Sequence, residues 1–203
     1  MRFLRKPAGR PRSLGLLSSA FHPPTRAHLA LAHAALDLFE TEQVLFVLPE
    51  KFPHKAYDAV TLEERLELVL EATAHEPRFA VAVAEAGLFW EIAREARAHY
   101  GDVRLRFLCG RDAAERIVGW DYGELPPIER QLEEYELLVA PREGAYEPPA
   151  HLRNSIGSLR ISEEWGDVAS SHVRARIRSG GRWEHWIPPT ITARVRQIYG
   201  HRR

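Results

Sequence analysis

The chain has 203 residues, 45% of them hydrophobic and 28% charged, and its 28 Lys and Arg residues balance 28 Asp and Glu residues. This is ordinary globular usage and excludes a disordered, collagen-like or fibrous protein. A formal charge of zero also excludes a global field drawing the protein to nucleic acid or an anionic membrane, so any anion site must be local.

Residues 1–12 carry Arg2, Arg5, Lys6, Arg10 and Arg12 but are broken by Pro7, Gly9 and Pro11 where a signal peptide would be apolar, so they read as a flexible basic tail. Ser13 to Phe21, SLGLLSSAF, reads as a buried strand ending in the turn HPPT. Ala27 to Phe39 is almost wholly Ala and Leu, as expected for a helix packed tightly on a sheet. Val44 to Leu48 predicts a second strand. Thr61 and Glu64 then have capping-box spacing at the start of LEERLELVLEATAH. Phe79 to Val83 predicts a third strand, Gly87 to Tyr100 a third helix closed by Gly101, and Val103 to Leu108 a fourth strand. The segment CGRDAAERIVGW predicts a Gly turn and a helix, and a polar helical stretch up to Glu134 precedes a fifth strand at Leu137 to Ala140. Regular alternation of strands and helices implies a doubly wound α/β fold, an open parallel sheet covered on both faces, followed by C-terminal helices. Ligands in such a sheet bind beyond the carboxyl ends of the strands.

Cys109 is the single cysteine, so no intramolecular disulfide or cysteine-based zinc site can form, and a reducing, cytoplasmic location is expected. Apolar stretches such as Leu29 to Leu36 fall short of the roughly 18 residues that span a bilayer, so no membrane association is expected. The ten His residues include no HExxH; no GxGxxG follows a strand, and no GxxxxGK[ST] occurs. Phosphate chemistry must therefore come from other segments.

Two segments offer it. SSAFHPPTRAHLALA joins the first strand to the first helix, where backbone N–H groups and the helix dipole make an anion site that an imidazole can complete. VASSHVR lies far along the chain at another predicted helix start, with hydroxyls able to cap the helix and a guanidinium able to bond phosphate oxygens. Through Phe21, Pro23, Thr25 and His28 the first resembles the FxPx(H/T)xGH pattern of the HxGH nucleotidyltransferases. The second resembles that family's ISSTxxR motif through Val168, Ser170, Ser171, Val173 and Arg174. Pro53, His54 and Lys55 are similar to the PPHK of its bacterial nicotinate or nicotinamide mononucleotide adenylyltransferases, and Gly110, Asp112 and Trp120, with Tyr122 beyond, to their GxDxxxxxxxW segment.

The resemblance spans about Leu14 to Tyr199 and implies one Rossmann-like nucleotidyltransferase domain over residues 13–203. It implies transfer of AMP from ATP, accompanied by Mg²⁺, to nicotinate or nicotinamide mononucleotide, with release of pyrophosphate, in NAD biosynthesis. His28 would be catalytic; Ser19, Ala20, Phe21, Thr25, His28, Ser170, Ser171 and Arg174 would bind ATP, and Lys55, Gly110, Asp112 and Trp120 the acceptor. No protein-held metal is expected, and the sequence leaves a homo-oligomer open. Departures from the pattern are Ser18 and Ser19 for paired Gly, His22 for Asp or Asn, Thr25 for the first His, Ala27 for Gly and Ala169 for the first Ser. The stretch Glu85 to Ala96 also lacks the Gly-x-Ser-Tyr-Thr loop of the bacterial enzymes. Other acceptors, CTP as donor, and a nucleotide-binding module without catalysis therefore stay open.

Residues outside these motifs have plainer readings. His33, five residues after His28, does not stack on it and reads as packed or solvent-facing. Arg176 and Arg178 read as solvated, and Trp90, Trp165, Trp183 and Trp186 as packing residues. Asp112 is equally a ribose contact or the N-cap of the next helix.

Overall fold

The computed structural model describes residues 1–51, 60–141 and 144–200. Apolar strands alternate with amphipathic helices, and each strand but two was legible from its run of apolar residues. These are β2 (Ser13–Ser18), β3 (Gln43–Pro49), β4 (Phe79–Ala84), β5 (Arg104–Gly110) and β6 (Glu136–Ala140). Two edge strands complete a seven-stranded sheet: β1 (Arg2–Arg5) and β7 (Ile156–Ser158). The order is β1-β4-β3-β2-β5-β6-β7, parallel throughout except for β1, which runs antiparallel to β4. The protein is thus an α/β structure with a mostly parallel sheet.

Alternation along the strands divides the core. Leu45, Val47, Ala80, Ala82, Leu105 and Phe107 face one layer with α3 (Phe89–Tyr100) and α4 (Arg111–Val118). Val44, Phe46, Leu48, Phe79, Val81 and Val83 face the other, with α1 (Arg26–Leu38) and α2 (Leu62–Ala72). Ala32 and Ala35 of α1 are fully buried, so the small side chains expected from the sequence do bring that helix close to the sheet. The predicted polar helix before β6 shrinks to one turn, α5 (Ile128–Gln131), because two prolines, Pro126 and Pro127, bar a longer helix upstream. A short turn, α6 (Glu163–Gly166), leads to α7 (Ser170–Arg178), and α8 (Thr192–Gly200) ends the described chain. α2 is covered on both sides. Its Leu66 and Val69 face the sheet, while Leu68 and Ala72 pack with Val173, Ile191, Val195 and Tyr199 from the C-terminal part. Among the described residues no helix is long and apolar enough to cross a membrane.

The expected flexible tail is corrected over its first residues. Strand β1 pairs with β4, and Arg5 donates from Nε to the Phe79 carbonyl at 3.3 Å, from Nη1 to Leu70 O at 3.1 Å and from Nη2 to Thr73 O at 3.0 Å. A four-residue strand with Arg at both ends has too few apolar positions to show a period of two, which is why it read as tail. Leu70 and Thr73 lie at the C-terminal end of α2 and Phe79 at the start of β4, so Arg5 joins the two, and Arg5→Ala should cost about 2 kcal/mol and lower Tm by roughly 6 °C. A calorimetric Tm equal to that of the wild type would show that these contacts contribute nothing.

Candidate active site

Reversal of the strand order creates the site. From β2 the chain builds β3 and β4 to one side and then returns to build β5 and β6 on the other, which opens a crevice beyond the carboxyl ends of β2 and β5. A cavity of about 800 Å³ lies there. Ser19, Ala20, Phe21, Thr25 and His28 line it from the loop after β2, Gly110, Asp112 and Trp120 from the segment after β5, and Ser170, Ser171 and Arg174 from α7. Every expected site residue but one therefore reaches a single cavity. Lys55 falls within residues 52–59 and lies outside the described residues, as do Pro53 and His54.

The loop that carries His28 is held in an unusual shape. Phe21 has φ +46°, a left-handed conformation that costs a bulky residue on the order of 1 kcal/mol or more. Its fully buried ring packs at 5.7 Å from Phe46 and 5.0 Å from His28, which opposes relaxation. The His22–Pro23 peptide is cis. Thr25, completely buried, is the N-cap of α1, and His28 stands at the third helical position in a capping box. The His28 ring takes the part usually played by Glu, since its Nδ1 accepts the Thr25 backbone N–H at 3.0 Å. A backbone amide can only donate, so the neutral imidazole carries its proton on Nε2. That nitrogen lies 3.4 Å from Ser19 Oγ at the cavity wall.

Two corrections concern the helix starts. Ser170 and Ser171 do not cap α7, because Ala169 is the N-cap; Ser170 Oγ instead donates to the Pro23 carbonyl at 2.7 Å. Asp112 is not the N-cap of α4, a position taken by Gly110, and sits in the first turn, where its charge favours the helix dipole. Arg174 Nη1 donates to the His22 carbonyl at 2.6 Å, so the distant second motif grips the loop of the first. Helices α1, α4 and α7 all begin at the cavity, as does α3 through Leu88 and Phe89. Each N-terminus presents about half a positive charge, and four of them favour an anion without any excess of basic side chains.

Several residues at the site were missed from sequence. Arg65 is 5% exposed, and its Nη1 donates to the Ala20 carbonyl at 2.9 Å while Nε donates to Thr61 O at 3.3 Å. It falls on the buried stripe of α2 between Leu62 and Val69, and an Arg at a core-facing position was the signal that could have found it. Trp165, expected only to pack, lines the cavity with the Arg26 guanidinium 5.3 Å from its ring. Arg116 also lines the cavity, one turn after Asp112. Tyr122 donates to the Ile117 carbonyl at 2.9 Å, and burial pushes its hydroxyl up to about 12, so it stays neutral. His33 is exposed and rests against Phe79, as its spacing implied.

Comparison with known proteins agrees with this architecture. A family profile described as cytidylyltransferase-like matches residues 17–176, which span both motifs. The chain belongs to the cytidylyltransferase-like family. It is an enzyme of the nucleotidyltransferase type. A Thermus thermophilus protein named "probable nicotinate-nucleotide adenylyltransferase" is 30% identical, with 88% of this chain and 93% of that protein covered. A Citrifermentans bemidjiense protein of the same name is 28% identical over 91% and 95% of the two chains. The nicotinic acid mononucleotide adenylyltransferase of Plasmodium falciparum, solved with NaAD, superposes with a TM-score of 0.73 at 13% identity, covering 92% of this chain and 95% of its own, and so shares the fold.

Cys109, the last residue but one of β5, lies at the cavity wall, and burial pushes its thiol up to about 12. Only the thiolate is a good nucleophile, so iodoacetamide at pH about 7.5 should leave the folded protein unmodified and alkylate it once guanidinium unfolds it. Intact-mass spectra taken in both conditions check this, and rapid labelling of the folded protein would contradict it.

Proposed function

We propose that this protein transfers the adenylyl group of ATP to nicotinate mononucleotide, giving the dinucleotide and pyrophosphate as a step of NAD biosynthesis. The observation that carries the reading is the His28 imidazole, fixed through Nδ1 by the Thr25 amide and offering Nε2–H at the switch-point cavity where four helix N-termini meet. The names and coverage of the relatives support the same reaction.

In this reaction a phosphate oxygen of the acceptor attacks the α-phosphorus of ATP, the new O–P bond forms as the α–β bridge breaks, and pyrophosphate leaves. No enzyme nucleophile is needed. The protein must bring two polyanions together and stabilise the charge that builds on the α and β phosphates. Nε2–H of His28 donates to an α- or β-phosphate oxygen. Ser170, Ser171 and Arg174 hold the β and γ phosphates, with Arg174 exchanging or sharing its present bond to the His22 carbonyl. Ser19, Ala20, Phe21 and Thr25 shape the wall on which the nucleotide lies. Gly110, Asp112 and Trp120 face the acceptor from the other side, and Lys55 belongs to the acceptor group on sequence grounds.

Among the described residues no three His, Cys, Asp or Glu side chains gather to hold a metal ion, and Asp112 is the one carboxylate at the cavity wall there. Such a donor set fits Mg²⁺ carried on the triphosphate rather than a cage built by protein. Bound in that way, the ion neutralises phosphate charge.

A second acceptor remains in view because Leu88 and Phe89, both apolar, line the cavity in the segment that lacks the Gly-x-Ser-Tyr-Thr loop. The deciding experiment is pyrophosphate release from MgATP with a panel of acceptors headed by nicotinate and nicotinamide mononucleotides. Turnover should be greatest with nicotinate mononucleotide, and His28→Ala should lower kcat about 10²- to 10³-fold. Full turnover by folded His28→Ala would remove the catalytic assignment, and turnover only with another phosphate ester would change the acceptor. Arg174→Ala should weaken ATP binding at least tenfold by titration calorimetry. An unchanged dissociation constant would take Arg174 out of the site.

A further inference from the structure

The apolar part of the cavity wall lies on a loop that must be held in place. Gly87, Leu88 and Phe89 line the cavity where the chain passes from the end of β4 at Ala84 into α3. Phe89 stacks on Phe107 of β5, with ring centroids 4.0 Å apart and planes 12° from parallel. It also packs against the same core cluster as Ala113 and Ile117 of α4, two further residues of the cavity wall. This stretch therefore stands on the side of Gly110, Asp112 and Trp120, the side that the adenylyl-transfer reading gives to the acceptor.

Two carboxylates of α3 hold the stretch from behind. Glu91 Oε2 accepts the Leu88 amide at 3.3 Å, which is the capping-box contact of the helix. Glu95, one turn further on, reaches back ten residues: its Oε1 accepts Glu85 N–H at 3.1 Å and Ala86 N–H at 3.5 Å. Its Oε2 lies 3.4 Å from Glu85 N and 2.8 Å from the nitrogen of Met1. With only 19% of the Glu95 side chain exposed, its carboxylate depends on protein donors, and these amides supply them. Gly87 is the one residue between the two clamps, and an unheld glycine samples a wider backbone range than any other residue. Fixing the amides on both sides of it fixes the course of Leu88 along the cavity. Glu95 itself does not line the cavity.

We propose that Glu95 is a positioning residue for the acceptor: by clamping the Glu85 and Ala86 amides it sets the Gly87–Phe89 wall that receives the mononucleotide. The proposal deepens the adenylyl-transfer reading and rests on it. Glu95 touches no substrate and acts through the loop, so its effect falls on the acceptor and not on ATP.

The test is steady-state kinetics of the full chain with nicotinate mononucleotide at saturating MgATP. The MgATP dissociation constant is taken by calorimetry, and Tm is recorded for every variant. Glu95→Ala should raise the KM for nicotinate mononucleotide about tenfold, leaving the MgATP dissociation constant within about twofold of wild type. Glu95→Gln keeps a carbonyl oxygen that can accept the Glu85 amide, and it should hold the KM within about threefold. Glu95→Asp keeps the charge but is one methylene too short for the amides. It should therefore behave like Glu95→Ala, and it serves if the alanine variant does not fold. Hydrogen exchange at the Glu85 and Ala86 amides should quicken in Glu95→Asp and Glu95→Ala and stay slow in Glu95→Gln.

A wild-type acceptor KM in folded Glu95→Ala or Glu95→Asp would overturn the proposal. So would a Gln variant as impaired as Ala, which would assign the effect to the charge facing the Met1 nitrogen instead of the amide clamp. Weakening of MgATP in proportion to the acceptor, with a lower Tm, would reduce Glu95 to a general stabiliser of the fold and overturn it as well. Wild-type protein that turns over no mononucleotide would overturn the adenylyl-transfer reading together with this one. Normal wild-type turnover that is indifferent to Glu95 would overturn this one alone.

Discussion

A loop that leaves the end of a parallel strand carries carbonyl groups that no neighbouring strand can satisfy, and each must find a donor or face water. Here the carbonyls of Ala20, His22 and Pro23 are met by Arg65 from α2 and by Arg174 and Ser170 from α7. The shape of the loop, including the left-handed Phe21, depends on those donors. They tie together parts of the chain nearly 150 residues apart. Without them His28 would still begin a helix, but the wall opposite it would not be fixed.

Charge follows the same logic. A protein with zero formal charge must gather positive potential locally, and the parallel sheet does this by geometry. α1, α3 and α4 each follow a parallel strand and so start at the same end of the sheet, α7 begins there as well after α6, and the partial charges of all four converge on one crevice. Arg174 sharpens that field near α7 and Arg116 near α4. Being largely backbone, the field persists when side chains move.

What the sequence made legible were features with local signatures. Apolar runs showed β2 to β6, and Ala and Leu content showed α1. Paired motifs pointed to Thr25, His28, Ser170 and Arg174, which line one cavity, and the family profile spans both motifs. What escaped had no local signature. Arg2–Arg5 and Ile156–Ser158 are too short for a hydrophobic period and exist because a neighbouring edge offers hydrogen bonds. Tyr199 meets His22 across 177 residues of sequence, a contact set by the packing of α8 on α2 and α7. The capping reading of Ser170 and Ser171, and the capping alternative for Asp112, missed the N-cap by one or two residues. Helix starts are decided by backbone geometry, which residue type only biases.

The edge strands also bear on how copies of the protein meet in solution. A long, flat, unpaired strand is a template for adding another strand, whether from a second copy or from an unfolding chain. One border of this sheet is a four-residue strand with a register irregularity and Arg at both ends, and the other is three residues long and contains Gly157. Neither offers enough straight, apolar backbone to recruit a neighbour. The long apolar strands β3 and β4, the ones most able to aggregate, lie between partners on both sides. Docking of the first five residues therefore guards the colloidal behaviour of the molecule, and a chain trimmed there would expose the whole edge of β4.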